Sequence, residues 1–267
     1  MRILATNDDG VHADGLWHMV EALSEIGEVV VVAPDRDQSG VGTSVTLHQP
    51  VRVREIRSPI KEVKCYAIEG TPADSVILAL GRLVEGNVDM VFSGINEGAN
   101  LGSDVLISGT VSAALLGHLQ GLPATALSVA ALEGVHFDAA ARMAVVMARM
   151  IEAQALPQQM LLNINLPNLP LGQIQGVEVT RLGRRTYQDV LKERQYGKRR
   201  HFWIVRTKQE WESEESWAPE EGTDIWAVFN DRISITPLHS DLTSPTALST
   251  LKQLSNSILQ DLGNPPD

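Results

Sequence analysis

Two adjacent carboxylates, Asp8 and Asp9, sit in the turn Asn7-Asp8-Asp9-Gly10, directly after the apolar run Arg2–Thr6. Within a strand such neighbours point to opposite faces. At a strand end, where Gly10 permits an unusual backbone turn, both can face one point. Carboxylates held about 4–6 Å apart repel unless a proton or a cation lies between them. A hard divalent cation meets that need with oxygen ligands. The same residues also suit an Asp-rich turn that caps the next helix, and the dipeptide alone does not choose between the two.

Two further polar loops follow apolar segments, Pro34–Ser44 and Ser93–Ser103, and carry the neutral oxygen donors Ser39 and Asn96. Two aspartates with neutral oxygens and water suit Mg²⁺, Mn²⁺ or Ca²⁺. The absence of His and Cys from these loops argues against a dedicated zinc site. Ser108-Gly109-Thr110 opens a helical pattern. Backbone N–H groups at a helix start make an anion site, although Ser or Thr there is also an ordinary cap.

A second chemistry competes. Asp35-Arg36-Asp37-Gln38-Ser39 approaches the Asp-x-Asp pattern of enzymes that form an aspartyl-phosphate, with Asp35 as nucleophile. It ends in Ser where that pattern has Thr or Val, and it follows the second strand instead of the first. His12 lies near the first loop and could reach a ligand. His48, His118, His136, His201 and His239 have no partner by spacing. No Gly-x-Ser-x-Gly elbow and no Walker loop occur.

The elements that must position these loops read as α/β. Arg2–Thr6 is a strand, and Leu16, Met19, Val20, Leu23 and Ile26 follow at helical spacing. The segment from 28 to 33 (EVVVVA) is a β-branched strand ending at Pro34. Strand, loop, helix, strand is the opening of a parallel sheet with helices on both faces. In such a sheet, ligands bind outside the carboxyl ends of the strands, so the three loops are expected to converge at one edge. Val51–Ile56, Lys64–Ile68, Val88–Phe92, Pro123–Val129 and Met160–Leu166 read as further strands. Helices are expected from Thr71-Pro72 to about Leu83, over Ser108–Gln120 and over Phe137–Gln154.

After about residue 170 the rhythm changes. Val177–Leu182, His201–Arg206, Ile225–Phe229 and Arg232–Thr236 read as strands without helices between them, an antiparallel C-terminal extension or arm. Ser244–Leu262 closes as a helix capped by Ser244, with Pro245 at its first position. The expected organisation is a Rossmann-like core at 1–170, a β-rich extension at 171–243 with an oligomerisation arm at about 183–222, and a C-terminal helix at 244–267. All of it is expected to form one structural domain.

The 267 residues carry 43% hydrophobic side chains, ordinary for a folded domain, and a formal charge of −11. That charge disfavours general binding to a nucleic acid backbone, so no stable nucleic acid partner is expected. Ten of the 22 Lys and Arg residues nevertheless lie between Arg181 and Lys208, and four of the five Trp residues are Trp203, Trp211, Trp217 and Trp226. The basic stretch suits a solvated arm or a funnel for anions, and clustered Trp suits a protein interface. Cys65 is the one cysteine, which fits a reducing cytoplasm. No apolar leader and no run long enough to span a membrane is visible.

Taken together, the segments ILATNDDGVHADGL (Ile3–Leu16), APDRDQSGVGTSVT (Ala33–Thr46), GTPADSV (Gly70–Val76), SGINEGANLGSDVLISGTVSAA (Ser93–Ala114) and ISITPLHSDLT (Ile233–Thr243) resemble the SurE survival-protein family of stationary-phase nucleotidases. The resemblance covers nearly the whole length. It implies a Rossmann-like fold and a divalent-metal-dependent phosphomonoesterase acting on nucleoside 5′-monophosphates, with 3′-monophosphates and short polyphosphate as further substrates. It implies one divalent cation per subunit on Asp8, Asp9, Ser39 and Asn96, and phosphate contacts from Asn96, Ser108, Gly109 and Thr110. A cation-activated water would be the nucleophile, with Asp9 a candidate to orient or deprotonate it. Homodimers or homotetramers would form through exchanged C-terminal segments. Two positions depart from the family pattern: Leu116-Gly117 stands where Glu-Gly is usual, and Tyr196-Gly197-Lys198-Arg199-Arg200 replaces an Asp-Pro-Arg-Gly-like turn. A binding or scaffolding protein without turnover is the remaining alternative.

Overall fold

Val29 to Ala33 are buried on both faces, the mark of a strand inside a sheet covered twice. This strand, β2 (Glu28–Pro34), lies parallel to β1 (Arg2–Thr6), with Ile3 opposite Val29 and Leu4 opposite Val30. The structure is a computed structural model, and it describes residues 1–184, 189–196, 199–206 and 218–263. The further strands are β3 (Val53–Ile56), β4 (Lys64–Ile68), β5 (Met90–Glu97), β6 (Ala124–Val129), β7 (Leu161–Leu166), β8 (Val177–Val179), β9 (Asp189–Tyr196), β10 (Arg199–Arg206) and β11 (Ile233–Leu238).

Among the described residues, nine strands form one sheet in the order β3-β4-β2-β1-β5-β6-β7-β11-β8. From β4 to β7 all neighbours are parallel. The edge strand β3 is antiparallel to β4, and β11 is antiparallel to β7. The chain runs outward from β1 through β2 to β4, then returns to the other side of β1 as β5. The strand order therefore reverses between β1 and β5, and a crevice opens beyond their carboxyl ends.

Helices α1 (Asp14–Ser24) and α4 (Asp138–Glu152) pack on one face of the sheet, over a core that includes Ile3, Leu16, Met19, Phe92, Leu127 and Ile164. Helices α2 (Pro72–Leu78) and α3 (Gly109–Leu119) cover the other face over Leu4, Val32, Val76, Val91 and Val111. Both starts on that face are capped. Thr71 accepts from Asp74 N while Asp74 accepts from Thr71 N, a reciprocal capping box. The Ser108 hydroxyl accepts from Val111 N at 3.1 Å. After Leu78 the helical pattern predicted to run to about Leu83 continues as a π-turn, Ala79–Leu83.

The C-terminal third holds the expected antiparallel strands, with one departure in its elements. Strands β11 and β8 join the main sheet, and β9 and β10 pair as a separate antiparallel ribbon. The segment predicted as a strand over Ile225–Phe229 is instead helix α5 (Asp224–Phe229). The β-branched and aromatic residues suggested a strand. The local capping signal wins: the Thr223 side chain accepts from Trp226 N, and Asp224 stands in the first turn. The last helix, α6 (Pro245–Gly263), begins where expected, with Ser244 accepting from Ala247 N. Trp211, Trp217, Gly197, Lys198, Arg185 and Lys208 lie outside the described residues.

Candidate metal and phosphate site

Three loops leave the carboxyl ends of β1, β2 and β5 and meet at the crevice. In the first, Asn7 Nδ2 donates to Gly10 O at 2.9 Å and Gly10 takes a φ of +103°, so the chain reverses within four residues. The second loop is tied to the first, because Gln38 N donates to Asp8 O at 2.8 Å. It is tied to the third by Gly42 N, which donates to Ile107 O at 2.9 Å. Strand β5 is bulged between Ser93 and Asn96, a device that re-aims a side chain at a strand end.

Asp8 is almost fully buried. Its Oδ1 accepts from the Thr110 hydroxyl at 2.5 Å, and the Thr110 backbone N–H also donates to it. The start of α3 lies so close that a Cβ on Gly109 would stand 2.6 Å from Asp8 Cβ and 2.8 Å from Asp8 Oδ2. Glycine is required here for clearance, not for its backbone angles. Burial raises the Asp8 carboxyl above the ordinary aspartate range, partly countered by the Thr110 hydroxyl.

Asp9 is partly buried. Burial first, and then the charge of Asp8, push its carboxyl up to about 7, against the pull of the Glu97 backbone N–H. Glu97 and Asp37 add smaller repulsions. Its Oδ2 is buried without a hydrogen-bond partner among the described residues, as is Asn7 Oδ1 beside it. A pair of carboxylates held together, with one oxygen unpartnered, is a donor set that fits a hard divalent cation.

Asn96 is 8% exposed and turns its amide nitrogen onto Gly98 O at 2.6 Å. This leaves its side-chain oxygen as the acceptor end of the group. Ser39 is exposed on the second loop, where its hydroxyl donates to Asp37 Oδ1 at 2.5 Å and its N–H donates to the same atom at 2.7 Å. With the hydroxyl proton committed to Asp37, the lone pairs of Ser39 Oγ are free to accept or ligate. Of the four sequence-predicted ligand positions, Asp8, Asp9 and Ser39 stand on loops after β1 and β2, and Asn96 stands at the carboxyl end of β5, beside β1 in the sheet. Among the described residues no group of three or more His, Cys, Asp and Glu side chains offers a rival metal cluster.

The turn at Ser108–Thr110 divides its groups. Ser108 Oγ caps α3 and Thr110 Oγ1 holds Asp8. The Gly109 N–H stands in the first turn of α3, where backbone donors suit an anion. Asp35 lies on the same loop as Ser39, but one of its oxygens is 3.6 Å from the Arg54 guanidinium.

Several contributors were not read from the sequence. Asp37 acts on both Asp8 and Asp9 by charge and holds Ser39 by hydrogen bonds. Asn100 fixes the third loop to the sheet: its N–H donates to Asn165 Oδ1 at 2.8 Å, its Nδ2 donates to Ser128 Oγ at 2.9 Å, and its carbonyl accepts from Asn163 and Asn165. Asp224, fully buried, accepts from Gly102 N and Gly183 N, both at 2.7 Å. The asparagines sit in strand β7 where apolar residues were expected. A polar residue inside a buried strand is the signal that could have exposed this network.

Known proteins resemble this chain over nearly its whole length. Residues 3–189 match the profile of the family described as survival protein SurE. A 5′-nucleotidase SurE of Dehalococcoides mccartyi (strain CBDB1) is 46% identical over 244 residues, 91% of this chain and 90% of its own length. That of Legionella pneumophila (strain Lens) is 44% identical over 259 residues, 97% of this chain and 98% of its own. A crystal structure of the Sure protein from Aquifex aeolicus superposes with a TM-score of 0.80 at 38% identity, covering 96% of this chain and all of that one. With the profile spanning most of the sequence and the relatives matching it nearly end to end, the chain belongs to the SurE survival-protein family.

Proposed function

We propose that this chain is a divalent-cation-dependent phosphomonoesterase that hydrolyses nucleoside 5′-monophosphates to nucleoside and phosphate. The observation that carries this reading is the buried Asp8–Asp9 pair, with its unpartnered oxygen, facing the start of α3. The curated relatives are named 5′-nucleotidases, which supports the substrate class. The 3′-monophosphates and short polyphosphate belong to the same proposal as secondary substrates.

Asp8, Asp9, Ser39 and Asn96 would hold one cation, with Mg²⁺, Mn²⁺ or Ca²⁺ matching an all-oxygen donor set. When bound, such an ion supplies charge stabilisation at the phosphoryl oxygens and acidifies water. The chain's own groups do the rest. The Gly109 N–H at the positive end of α3 binds a phosphoryl oxygen, Asn96 orients it, and Thr110 keeps Asp8 fixed. Asp9 is the candidate to accept a proton from the attacking water.

Self-association is part of the proposal. Helix α6 leaves Leu248, Leu251, Leu254, Ile258, Leu259 and Leu262 exposed, with Leu259 at 72% and Leu262 at 79%. An apolar stripe of this kind calls for a partner helix, and exchange with a second copy supports a homodimer or homotetramer. No helix among the described residues is long and apolar enough to cross a membrane. The lone cysteine, buried with its thiol pushed up to about 12, supports a cytoplasmic setting.

Purified protein given Mn²⁺ or Mg²⁺ and a panel of 5′- and 3′-mononucleotides is expected to release phosphate only with the cation. Asp8→Asn abolishes release while Asp35→Asn retains it. Full activity in Asp8→Asn with loss in Asp35→Asn would replace this reading with an aspartyl nucleophile, and no release from any nucleotide would leave a binding protein.

A further inference from the structure

The loop that carries Ser39 runs from Pro34 to Val53 without a strand or helix, and Thr43 to Val45 are exposed. A connection of this length loses substantial entropy when one residue within it is fixed. Its near end is fixed by Gln38 N on Asp8 O, and its middle by Gly42 N on Ile107 O. The far end is fixed by a carboxylate from another element. Asp74, in the first turn of α2, is 4% exposed. Its Oδ1 accepts from Thr46 N at 2.9 Å, and its Oδ2 accepts from Thr46 Oγ1 at 2.7 Å and Thr71 N at 2.9 Å. Thr71 completes the arrangement by donating its hydroxyl to Ser44 O at 2.7 Å. There is no slack around the carboxylate, since a Cβ on Gly70 would stand 2.8 Å from Asp74 Oδ2.

A capping box needs only one acceptor oxygen for the helix start. Here the other oxygen, and part of the first, are spent on a residue 28 positions earlier in the chain. We propose that Asp74 is a positioning residue for the cation site, acting through Thr46 to hold the Ser39 loop in register over Asp8. The inference rests on the reading of Ser39 as a cation ligand. It predicts that the latch tunes cation affinity, since groups that orient ligands alter metal binding by roughly 10- to 100-fold. An amide cannot replace the carboxylate, because its NH₂ would face the N–H and O–H donors of Thr46 or Thr71.

The test is calorimetric titration of Mn²⁺ into the metal-free full chain. Thr46→Val removes one loop-side bond and leaves the capping box of α2 intact. Its Mn²⁺ Kd is expected to rise about tenfold, while the lost hydrogen bond to Asp74 lowers the thermal midpoint of the metal-free protein without unfolding it at the titration temperature. Thr46→Ser, which keeps the hydroxyl, restores the wild-type value. Asp74→Asn is expected to weaken binding at least as much; should it fail to fold, the two Thr46 variants carry the test alone. Wild-type affinity in Thr46→Val, or equal weakening in Thr46→Val and Thr46→Ser, overturns the latch. A wild-type chain that binds no Mn²⁺ overturns the cation site itself, which separates the two failures.

Discussion

The Thr110 hydroxyl at the start of α3 donates to Asp8 Oδ1 at the end of β1, joining residues 102 positions apart across the crevice. The helix thereby holds the carboxylate that the first loop presents, and the turn at Ser108–Thr110 and the turn at Asn7–Gly10 are tied into one unit.

Removing that donor should leave Asp8 buried and under-satisfied. A hydrogen bond to a charged group contributes about 1.5–3 kcal/mol, so Thr110→Val is expected to lower kcat/KM for a nucleoside monophosphate by roughly 10- to 100-fold. Thr110→Ser keeps the hydroxyl and most of the activity. Steady-state phosphate release from the two variants checks this, and equal losses would remove the role assigned to the hydroxyl.

Gly109→Ala introduces a methyl where Asp8 Cβ stands 2.6 Å away. The helix can form with alanine, so far-UV circular dichroism should be unchanged. Displacing Asp8 by even about 1 Å should cost on the order of 100-fold in turnover. Retention of wild-type turnover would mean that α3 and β1 separate freely.

Metal-free protein should carry a proton on the Asp8–Asp9 pair around neutral pH, since burial raises both carboxyls and, with the charge of Asp8, brings Asp9 to about 7. A cation must displace that proton. Mn²⁺ affinity is therefore expected to rise with pH from 6 to 8, with proton release that falls toward zero above that range. Calorimetry in buffers of different ionisation enthalpy reads the released protons directly, and a pH-independent affinity would contradict the arrangement.

Burial tends to raise the Asp74 carboxyl, but the hydrogen bonds from Thr46 and Thr71 outweigh it and hold the group below its ordinary value of 3.8. A depressed carboxylate stabilises the fold fully above the unfolded value and loses that contribution as pH falls through the folded one. The stability advantage of wild type over Asp74→Asn should be complete at pH 7 and shrink below pH 3.8. Urea midpoints of both proteins across that range measure it.

Deleting residues 244–267 removes the exposed stripe of α6. The shortened chain is expected to sediment as a smaller species than the full chain at equal concentration. An unchanged sedimentation coefficient per chain would assign assembly to another surface.

Most of the parallel sheet was legible because its strands are continuous β-branched runs, as in EVVVVAP of β2, and its helices carry strong caps such as Thr71-Pro72 and Ser108. The convergence of Asp8, Ser39 and Asn96 at one edge followed from strand polarity alone. Helix α5 was misread because five of its six residues, Ile225 to Phe229, suit a strand equally well, and a six-residue window is too short for periodicity to decide. The ligand-orienting groups were hidden for a different reason. Asp37 by its charge on Asp8 and Asp9, and Asp74, Asn100 and Asp224 by hydrogen bonds, act across gaps that only the folded chain closes, as does the Thr110 hydroxyl on Asp8.

The bond from Gly102 N to Asp224 Oδ2 spans 122 positions, and it sets an order of events during synthesis. A nascent chain emerging from the ribosome exposes Asp8, Asp9, Ser39 and Asn96 before its midpoint. The loop after Asn96 stays without its buried anchor until Asp224 has been translated and α5 has docked. Fragments ending before that point carry every expected ligand and an incomplete crevice, so the crevice is among the last parts of the molecule to set.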